Sequence, residues 1–404
     1  MKKAGILTIG DEILQGQTLN LNSQYISKQL TIRNIDVLIH LTVPDKVSKI
    51  KEKINKFIIK DYDYIFITGG LGPTHDDVTK KALLELFDSK LIFLKSRHIY
   101  LEKKKKKKIP NSQSEILDIS KKIENNIGTA LGMEIEFNKS KIIILPGVPN
   151  EMNAMLTYYF EEKKILVTDS LIFTINTFGI YETQLSDKIE SVINKYKNKI
   201  YCSFLPNYNG VKIRVKILDN SISEKKIKNE IVSLINKYAY SFDNDSLEEI
   251  ILNLLIKNNL TLSIAESCTG GFISKSITDI PGSSKVFLGG LVAYNSSIKN
   301  IFLDIPNSAI KKYGEVSNKI SQLMAKNISK KFKSDISISC TGISGPDGGS
   351  KEKPVGTVYI TINYLGRLNT EKFIFQLDRK YHRIMTKQAA LYMLWKLFTS
   401  KLKY

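Results

Sequence analysis

Two short apolar runs in this chain each stop in a small, hydroxyl-rich, glycine-rich turn, and that pattern limits the folds open to it more than any other feature. Residues 262–271 read Leu-Ser-Ile-Ala-Glu-Ser-Cys-Thr-Gly-Gly. A strand that halts at Ser267, Cys268, Thr269, Gly270 and Gly271, and resumes as a helix through Phe272, Ile273 and Ile277, gathers hydroxyls and free backbone N–H groups at one point. A helix N-terminus there can hold a phosphate or an oxyanion. Residues 340–349, Cys-Thr-Gly-Ile-Ser-Gly-Pro-Asp-Gly-Gly, repeat the design after the apolar run 336–339. Two such turns in one segment point to a site for a small phosphorylated substrate.

Around these turns the chain alternates strand-like and helix-like patterns. Its 404 residues allow two or three domains at roughly 150 residues each. Strand-like runs fall at 5–9, 36–42, 64–68, 91–94 and 141–145, with amphipathic helical patterns at 22–31, 48–59 and 79–87 between them. That alternation predicts a mostly parallel sheet with helices on both faces. From 168 to 245 the order changes to strand (171–177), helix (181–195), two strands (201–205 and 211–218) and helix (224–238). This suits a small α+β module of KH-like type, although it lacks a Gly-x-x-Gly loop between paired helices. Strands at 262–265, 286–293, 335–339, 357–364 and 371–376 and a final helix at 379–402 make the last region α/β again. The expected fold class is therefore α/β: two α/β domains with mainly parallel sheets, 1–167 and 246–404, joined by a small α+β domain at 168–245.

Several function classes are disfavoured. No apolar run approaches the roughly 20 residues of a membrane span. The start runs from a short apolar stretch into Gly10-Asp11-Glu12 and reads as a first strand rather than a signal peptide. The expected compartment is the cytoplasm, with no membrane partner. Three cysteines (Cys202, Cys268, Cys340) form no C-x-x-C pair, and the four histidines show no zinc spacing. Any metal would sit on carboxylates and phosphate oxygens, which favours a hard divalent ion. The net charge of +20 raises the question of nucleic acid. The lysines are spread along the chain, however, and only 103–108 form a block, read as a solvated loop flank. Nucleic acid is not expected as a partner; an anionic small molecule fits the same charge.

In the first region, residues 68–79 read Thr-Gly-Gly-Leu-Gly-Pro-Thr-His-Asp-Asp-Val-Thr after an apolar strand. Glycines admit close approach of a ligand to the backbone, and exposed N–H groups suit an anion. Asp76 and Asp77 add carboxylates, and phosphate plus carboxylates favours a bridging divalent metal. Asp77 also reads as a simple N-cap of a helix beginning at Val78. Glu12, ending the first strand, would share the carboxyl edge of the sheet, where open α/β folds bind ligands.

These residues resemble a known family. Gly10-Asp11-Glu12-Ile13-Leu14, the 68–79 loop, residues 125–130 (Asn-Asn-Ile-Gly-Thr-Ala) and residues 146–152 are similar to the N-terminal domain of the CinA (competence/damage-inducible protein A) family, itself similar to molybdopterin-binding domains. The resemblance implies an ADP-ribose pyrophosphatase that uses a divalent metal (Mg, Mn or Co) and yields AMP and ribose 5-phosphate. The diphosphate would lie over Thr68, Gly69, Gly70 and Gly72, with metal contacts from Asp76, Asp77 and Glu12. Residues 265–271, 289–299, 314–317, 341–349 and 353–358 resemble the family's C-terminal domain. That domain is a nicotinamide-nucleotide amidohydrolase, which converts nicotinamide mononucleotide and water to nicotinate mononucleotide and ammonia without a cofactor.

Amide hydrolysis needs a nucleophile, a base, an oxyanion site and a proton for the leaving amine. No histidine lies near the glycine turns in sequence, so a Ser–Lys pair is the available variant. Ser267 is the expected nucleophile; it also reads as a plain N-cap. Cys268 is a rival, since helix N-termini lower thiol pKa. Lys299 serves as base if burial lowers its pKa. Tyr294 orients it or contacts substrate, and Thr341 bonds the nucleophile or substrate. Backbone groups from Cys268, Thr269, Gly270 and Gly271, with Gly342, would bind substrate, and Arg379 or Arg383 would hold its phosphate. Cys340 reads as a small core residue. The expected function is a bifunctional pyridine-nucleotide salvage hydrolase, with a homodimer as the expected assembly. The alternative is a non-enzymatic nucleotide- or pterin-binding protein acting in DNA uptake or repair through a partner.

Overall fold

A computed structural model describes residues 2–168, 172–219, 221–242 and 245–401. Leu171 and Leu402, at the ends of two expected elements, lie outside the described residues. The chain divides into two compact units, Met1–Ser170 and Leu171–Tyr404, and it is α/β in both.

The first unit is built on a six-stranded sheet whose order is Ile35–Val43, Lys2–Ile9, Tyr64–Thr68, Ser140–Leu145, Gly132–Phe137 and Ser120–Ile123. The first four strands pair in parallel, and Gly132–Phe137 pairs antiparallel with both of its neighbours. Tyr64–Thr68 is buried along its whole length, as a central parallel strand covered on both faces must be. Its alternate residues enter separate cores. Ile65 and Ile67 join the cluster that holds Ile50, Ile54 and Phe57 of helix Val47–Ile59. Tyr64 and Phe66 join the cluster around Ile26, Leu30, Met152 and Leu156 of helices Leu21–Thr31 and Pro149–Glu162. A strand period of two produces this split. The expected strand at 91–94 is present as Leu91–Phe93, but among the described residues it pairs only with Glu115–Leu117 in a separate ribbon. The lysine block does not stay in a loop: Lys103, Lys104 and Lys105 end the helix Lys95–Lys105.

The second unit holds two sheets. A four-stranded antiparallel sheet, ordered Ile200–Asn207, Gly210–Ile217, Ile172–Thr177 and Ala239–Ser241, packs under helices Glu182–Lys195 and Glu224–Ile235. Its last strand was not legible in the sequence. A five-stranded sheet follows, ordered Phe287–Val292, Leu262–Glu266, Ile336–Gly342, Thr357–Tyr364 and Arg367–Ile374. Phe287–Val292, Leu262–Glu266 and Ile336–Gly342 pair in parallel, and Thr357–Tyr364 pairs antiparallel with both of its neighbours, so four of the five strands share one direction. Helices Leu247–Lys257 and Arg379–Lys401 cover one face and Asn318–Phe332 the other. Parallel strands place their carboxyl ends together. Ser267 follows Glu266 at the end of one strand and Thr341 lies at the end of its neighbour, and Ser267 N–H bonds the Cys340 carbonyl at 3.1 Å.

Candidate functional site

In the second unit, Leu262–Glu266 is wholly buried, so the first residue free to leave the strand direction is Ser267. Gly270 and Gly271 follow with φ of +59° and +89°, a left-handed pair that turns the chain within four residues at no Cβ cost. The turn's carboxylate is Glu266. Its buried side chain accepts from Ile273 N–H at 3.0 Å, from Ser274 N–H at 2.8 Å and from the Ser274 hydroxyl at 2.6 Å. This corrects the expectation of an anion site on the helix N-terminus: the helix, Phe272–Thr278, is short, and the strand's own glutamate takes its first amides. Among the described residues, the backbone N–H groups of Cys268, Thr269 and Gly271 have no bonding partner, so the turn still presents donors ahead of the helix. Ser267 is not a cap, because Gly271 occupies the N-cap position and no side chain caps the helix.

Lys299 lies in the helix Ser296–Leu303, on the next crossover. Asn295 caps that helix through Ser297 N–H at 2.9 Å, and this aims the Lys299 side chain inward. The side chain is fully buried, and its Nζ sits 3.2 Å from Ser267 Oγ, 3.3 Å from the Tyr294 carbonyl and 3.6 Å from a Glu315 carboxylate oxygen. Burial pushes the lysine pKa down and Glu315 pulls it back up. Ser267 is itself 6% exposed. A buried amine beside a buried hydroxyl is the arrangement a Ser–Lys pair requires.

The other expected residues are placed as follows. Tyr294 is half-exposed, and its hydroxyl accepts from Arg379 Nη2. Arg379 also donates to the Gly345 carbonyl at 3.1 Å. Arg383 donates through Nε (3.0 Å) and Nη2 to the Thr269 carbonyl, so both arginines reach the turns. Thr341 does not bond the nucleophile: its hydroxyl donates to the Glu315 carbonyl at 2.9 Å. Gly342 packs against the Thr357 carbonyl, where a Cβ would come within 2.9 Å. Cys268 fits poorly as a rival nucleophile. A hydrogen bond with Cys340 and burial push its thiol well up, against the thiolate form. Cys340 is buried in the core cluster, as expected.

Two residues beside these groups were missed. Glu315 follows the positive-φ residue Gly314. His382 is wholly buried in the first turn of the final helix. Its Nε2 faces the Gly356 carbonyl at 3.2 Å, an acceptor only, so Nε2 carries the proton and Nδ1 accepts from the Ser344 hydroxyl at 2.9 Å. Burial pushes this imidazole's pKa down and keeps it neutral. One helical turn thus holds three loops, through Arg379, His382 and Arg383. The signal available in the sequence was the i, i+3, i+4 spacing of those residues at a helix start.

In the first unit the loop after Tyr64–Thr68 bonds largely to itself. Asp77 does not cap the helix Thr79–Phe87. It turns back and accepts from Gly72 N–H at 2.7 Å, from Thr74 N–H at 2.9 Å and from the Thr74 hydroxyl. Gly69 N–H bonds the Leu145 carbonyl at 3.2 Å, and Thr68 Oγ1 donates to the Pro146 carbonyl at 2.9 Å. Gly69, at φ +107°, is demanded by close approach: a Cβ there would lie 2.2 Å from the Ile9 carbonyl. Of the three glycines expected under a diphosphate, Gly70 alone keeps an N–H without a partner among the described residues. Asp76 and Glu12 are exposed. Asp45, missed in the sequence, accepts from Asp11 N–H at 3.0 Å; burial and the nearby carboxylates of Asp11, Glu12 and Asp76 push its pKa up. Asn22, also missed, donates to Thr68 Oγ1 and the Gly147 carbonyl, while its buried Oδ1 has no partner among the described residues. No three His, Cys, Asp or Glu side chains among the described residues are placed to hold a cation by themselves. The same residues include no helix long and apolar enough to cross a membrane.

Comparison with known proteins places both units. The CinA C-terminal domain family matches residues 244–398, and the family described as "Probable molybdopterin binding domain" matches residues 5–163. A CinA-like protein of Pseudothermotoga lettingae is 36% identical over 413 aligned positions, covering 100% of each chain. A putative competence-damage inducible protein of Halothermothrix orenii is 35% identical over 97% of this chain and 98% of its own. Among solved structures, a competence/damage inducible protein from Agrobacterium tumefaciens shares 33% identity over 37% of this chain and 93% of its own, at a TM-score of 0.37. The protein CinA of Thermoplasma acidophilum, described as of unknown function, shares 32% identity over 41% and 98%, at 0.38.

Proposed function

The chain belongs to the CinA family, and from that premise we propose that it is a bifunctional pyridine-nucleotide hydrolase whose second unit deamidates nicotinamide mononucleotide. One observation carries the reading: the fully buried Lys299 amine lies 3.2 Å from Ser267 Oγ. In its neutral form the amine accepts the Ser267 proton as Oγ attacks the amide carbon, and the free N–H groups of Cys268, Thr269 and Gly271 are the available donors for the oxyanion. Lys299 then gives that proton to the departing nitrogen, and ammonia leaves. Water attacks the resulting ester; Lys299 takes a water proton and returns it to Ser267, releasing nicotinate mononucleotide. Arg383, anchored at Thr269, and Arg379 supply cationic N–H groups for the substrate phosphate.

For the first unit we propose cleavage of ADP-ribose to AMP and ribose 5-phosphate with a divalent cation. The crowding of Asp45 by Asp11, Glu12 and Asp76 is the observation that suits a cation. Asp76 and Glu12 would hold it together with substrate phosphate oxygens, while Asp77 keeps the loop curled. Mg²⁺ typically takes one or two carboxylates plus substrate phosphates, so an incomplete protein donor set is compatible with it. When bound, the cation would neutralise diphosphate charge in the reaction. A second reading, binding of a nucleotide or pterin without cleavage, is favoured by the loop's internal use of the Gly69 and Gly72 amides.

The test is to incubate the purified protein with nicotinamide mononucleotide and with ADP-ribose separately, with and without EDTA, and to identify products. Nicotinate mononucleotide and ammonia should form in either condition, and AMP only without EDTA. Absence of ammonia release in all conditions would end the deamidase reading. Tight ADP-ribose binding without AMP under several metals would favour the binding-only reading of the first unit.

A further inference from the structure

Lys299 has three close partners, and they differ in kind. Ser267 is the reacting group, and the Tyr294 carbonyl does not ionise. Glu315 is the carboxylate, 3.6 Å away. The Lys299 side chain is 1% exposed and that of Glu315 is 48% exposed, so among these partners the glutamate is the one that reaches water freely. We infer that Glu315 is a positioning residue for the deamidation: it sets how strong a base Lys299 is, and it is the path by which a proton on the resting amine exchanges with solvent. This deepens the Ser267–Lys299 reading and rests on it.

The remaining groups facing Lys299 do not compete for that role. Cys268 comes from the turn after Leu262–Glu266 and Cys340 from the strand Ile336–Gly342. Their thiols bond one another, and burial is set against charge on Cys268. From the segment before helix Asn318–Phe332 comes Glu315 itself. Its backbone is pinned on both sides. Thr341 donates to the Glu315 carbonyl at 2.9 Å, and Ser317 both bonds the Gly314 carbonyl at 3.0 Å and caps the next helix at Ile320 N–H. This anchoring places the side chain beside Lys299, its ion-pair partner among the described residues. The same anchoring accounts for the placement of Thr341, whose hydroxyl serves Glu315 rather than the nucleophile.

A carboxylate beside a buried amine has two opposed effects. It favours the ammonium, so at low pH less free amine is ready to accept the Ser267 proton. It also makes that free amine a stronger base and steadies the ammonium formed as Oγ attacks. Removing the charge while keeping the shape should therefore move the pH–rate profile in two directions at once. No proton is gained or lost over the cycle, since Lys299 ends each turnover neutral and Glu315 is not consumed.

The experiment is the pH dependence of kcat/KM for nicotinamide mononucleotide, using the full chain, for wild type, Glu315→Gln and Glu315→Asp. Gln should shift the acid limb down by about one pH unit and lower the alkaline plateau roughly 10-fold. Asp, which keeps the charge, should return the limb toward wild type. A Gln profile lowered equally at every pH, with the limb in place or moved up, would overturn the inference, because a purely structural role gives that result. Lys299→Ala separates the levels. If it is inactive while the Gln limb stays fixed, the Glu315 inference alone fails; if it keeps wild-type turnover, the underlying pair fails with it.

Discussion

The turn after Leu262–Glu266 and the loop after Tyr64–Thr68 leave buried parallel strands in the same way, but their polar groups are used differently. In the second unit a buried carboxylate, Glu266, fastens the helix start, and the reactive pair is left intact beneath it with Lys299 and Ser267 shielded from water. In the first unit Asp77 fastens the loop, and the remaining carboxylates, Asp76 and Glu12, stand in solvent. The difference matches what each proposed chemistry would need. Burial, by penalising its charge, lets a lysine act as a base nearer neutral pH. A cation–phosphate site has to stay open, because the ligand brings part of the coordination.

The contrast can be broken most sharply at the buried pair. Lys299→Ala should lower kcat for ammonia release by roughly 10²–10⁴-fold, with KM changed far less, measured by initial rates. EDTA should leave that activity untouched. In the open loop, Asp76→Ala combined with Glu12→Ala should lower AMP formation from ADP-ribose by about 10²-fold and leave deamidation at the wild-type rate. Equal losses of both activities in either variant would erase the distinction between the sites. A smaller effect is structural. Glu266→Ala strips the buried N–H groups of Ile273 and Ser274 of their acceptor, and should cost about 2–3 kcal/mol in urea unfolding of the second unit. Asp77→Ala, in a more exposed loop, should cost about 1 kcal/mol. The smallest effect concerns pH. Thr261 bonds Asp335 through its hydroxyl and N–H and holds that carboxyl below its ordinary 3.8. Its stabilisation is therefore complete above that value and is lost as pH falls through the depressed one. Unfolding midpoints of wild type and Asp335→Asn should differ slightly at pH 6 and converge in strong acid.

The strand–turn units were legible because a continuous apolar run that ends in small, hydroxyl-bearing residues and glycines suits a buried strand leaving a sheet and little else. The α/β class followed from their alternation with helical patterns. Ser267 stood out in its turn, but its pairing with Lys299, 32 positions away, was expected through family resemblance, since one lysine among many carries no local mark. Other features were not legible. Glu315 and His382 act across folds of the chain, and no periodicity reports such contacts. Asp77 was read as a metal contact or, by a local rule, as a cap, whereas the loop curls back and takes both its oxygens. Glu266 looked like a strand residue, yet its carboxylate takes the place expected of a bound anion. The helices Asn307–Tyr313 and Asn318–Phe332 escaped notice because lysines interrupt their apolar stripes, although the buried face of the second is regular: Ile320, Met324, Ala325 and Ile328.

The central claim, that Lys299 makes Ser267 the nucleophile, is tested most directly by trapping the intermediate. Protein mixed with nicotinamide mononucleotide should be acid-quenched within the first turnover, digested, and its peptides analysed by mass spectrometry. The account predicts a substrate-derived acyl group on Ser267, lost in Ser267→Ala and strongly diminished in Lys299→Ala. An acyl group on Cys268, or ammonia release at the wild-type rate from Ser267→Ala, would contradict it.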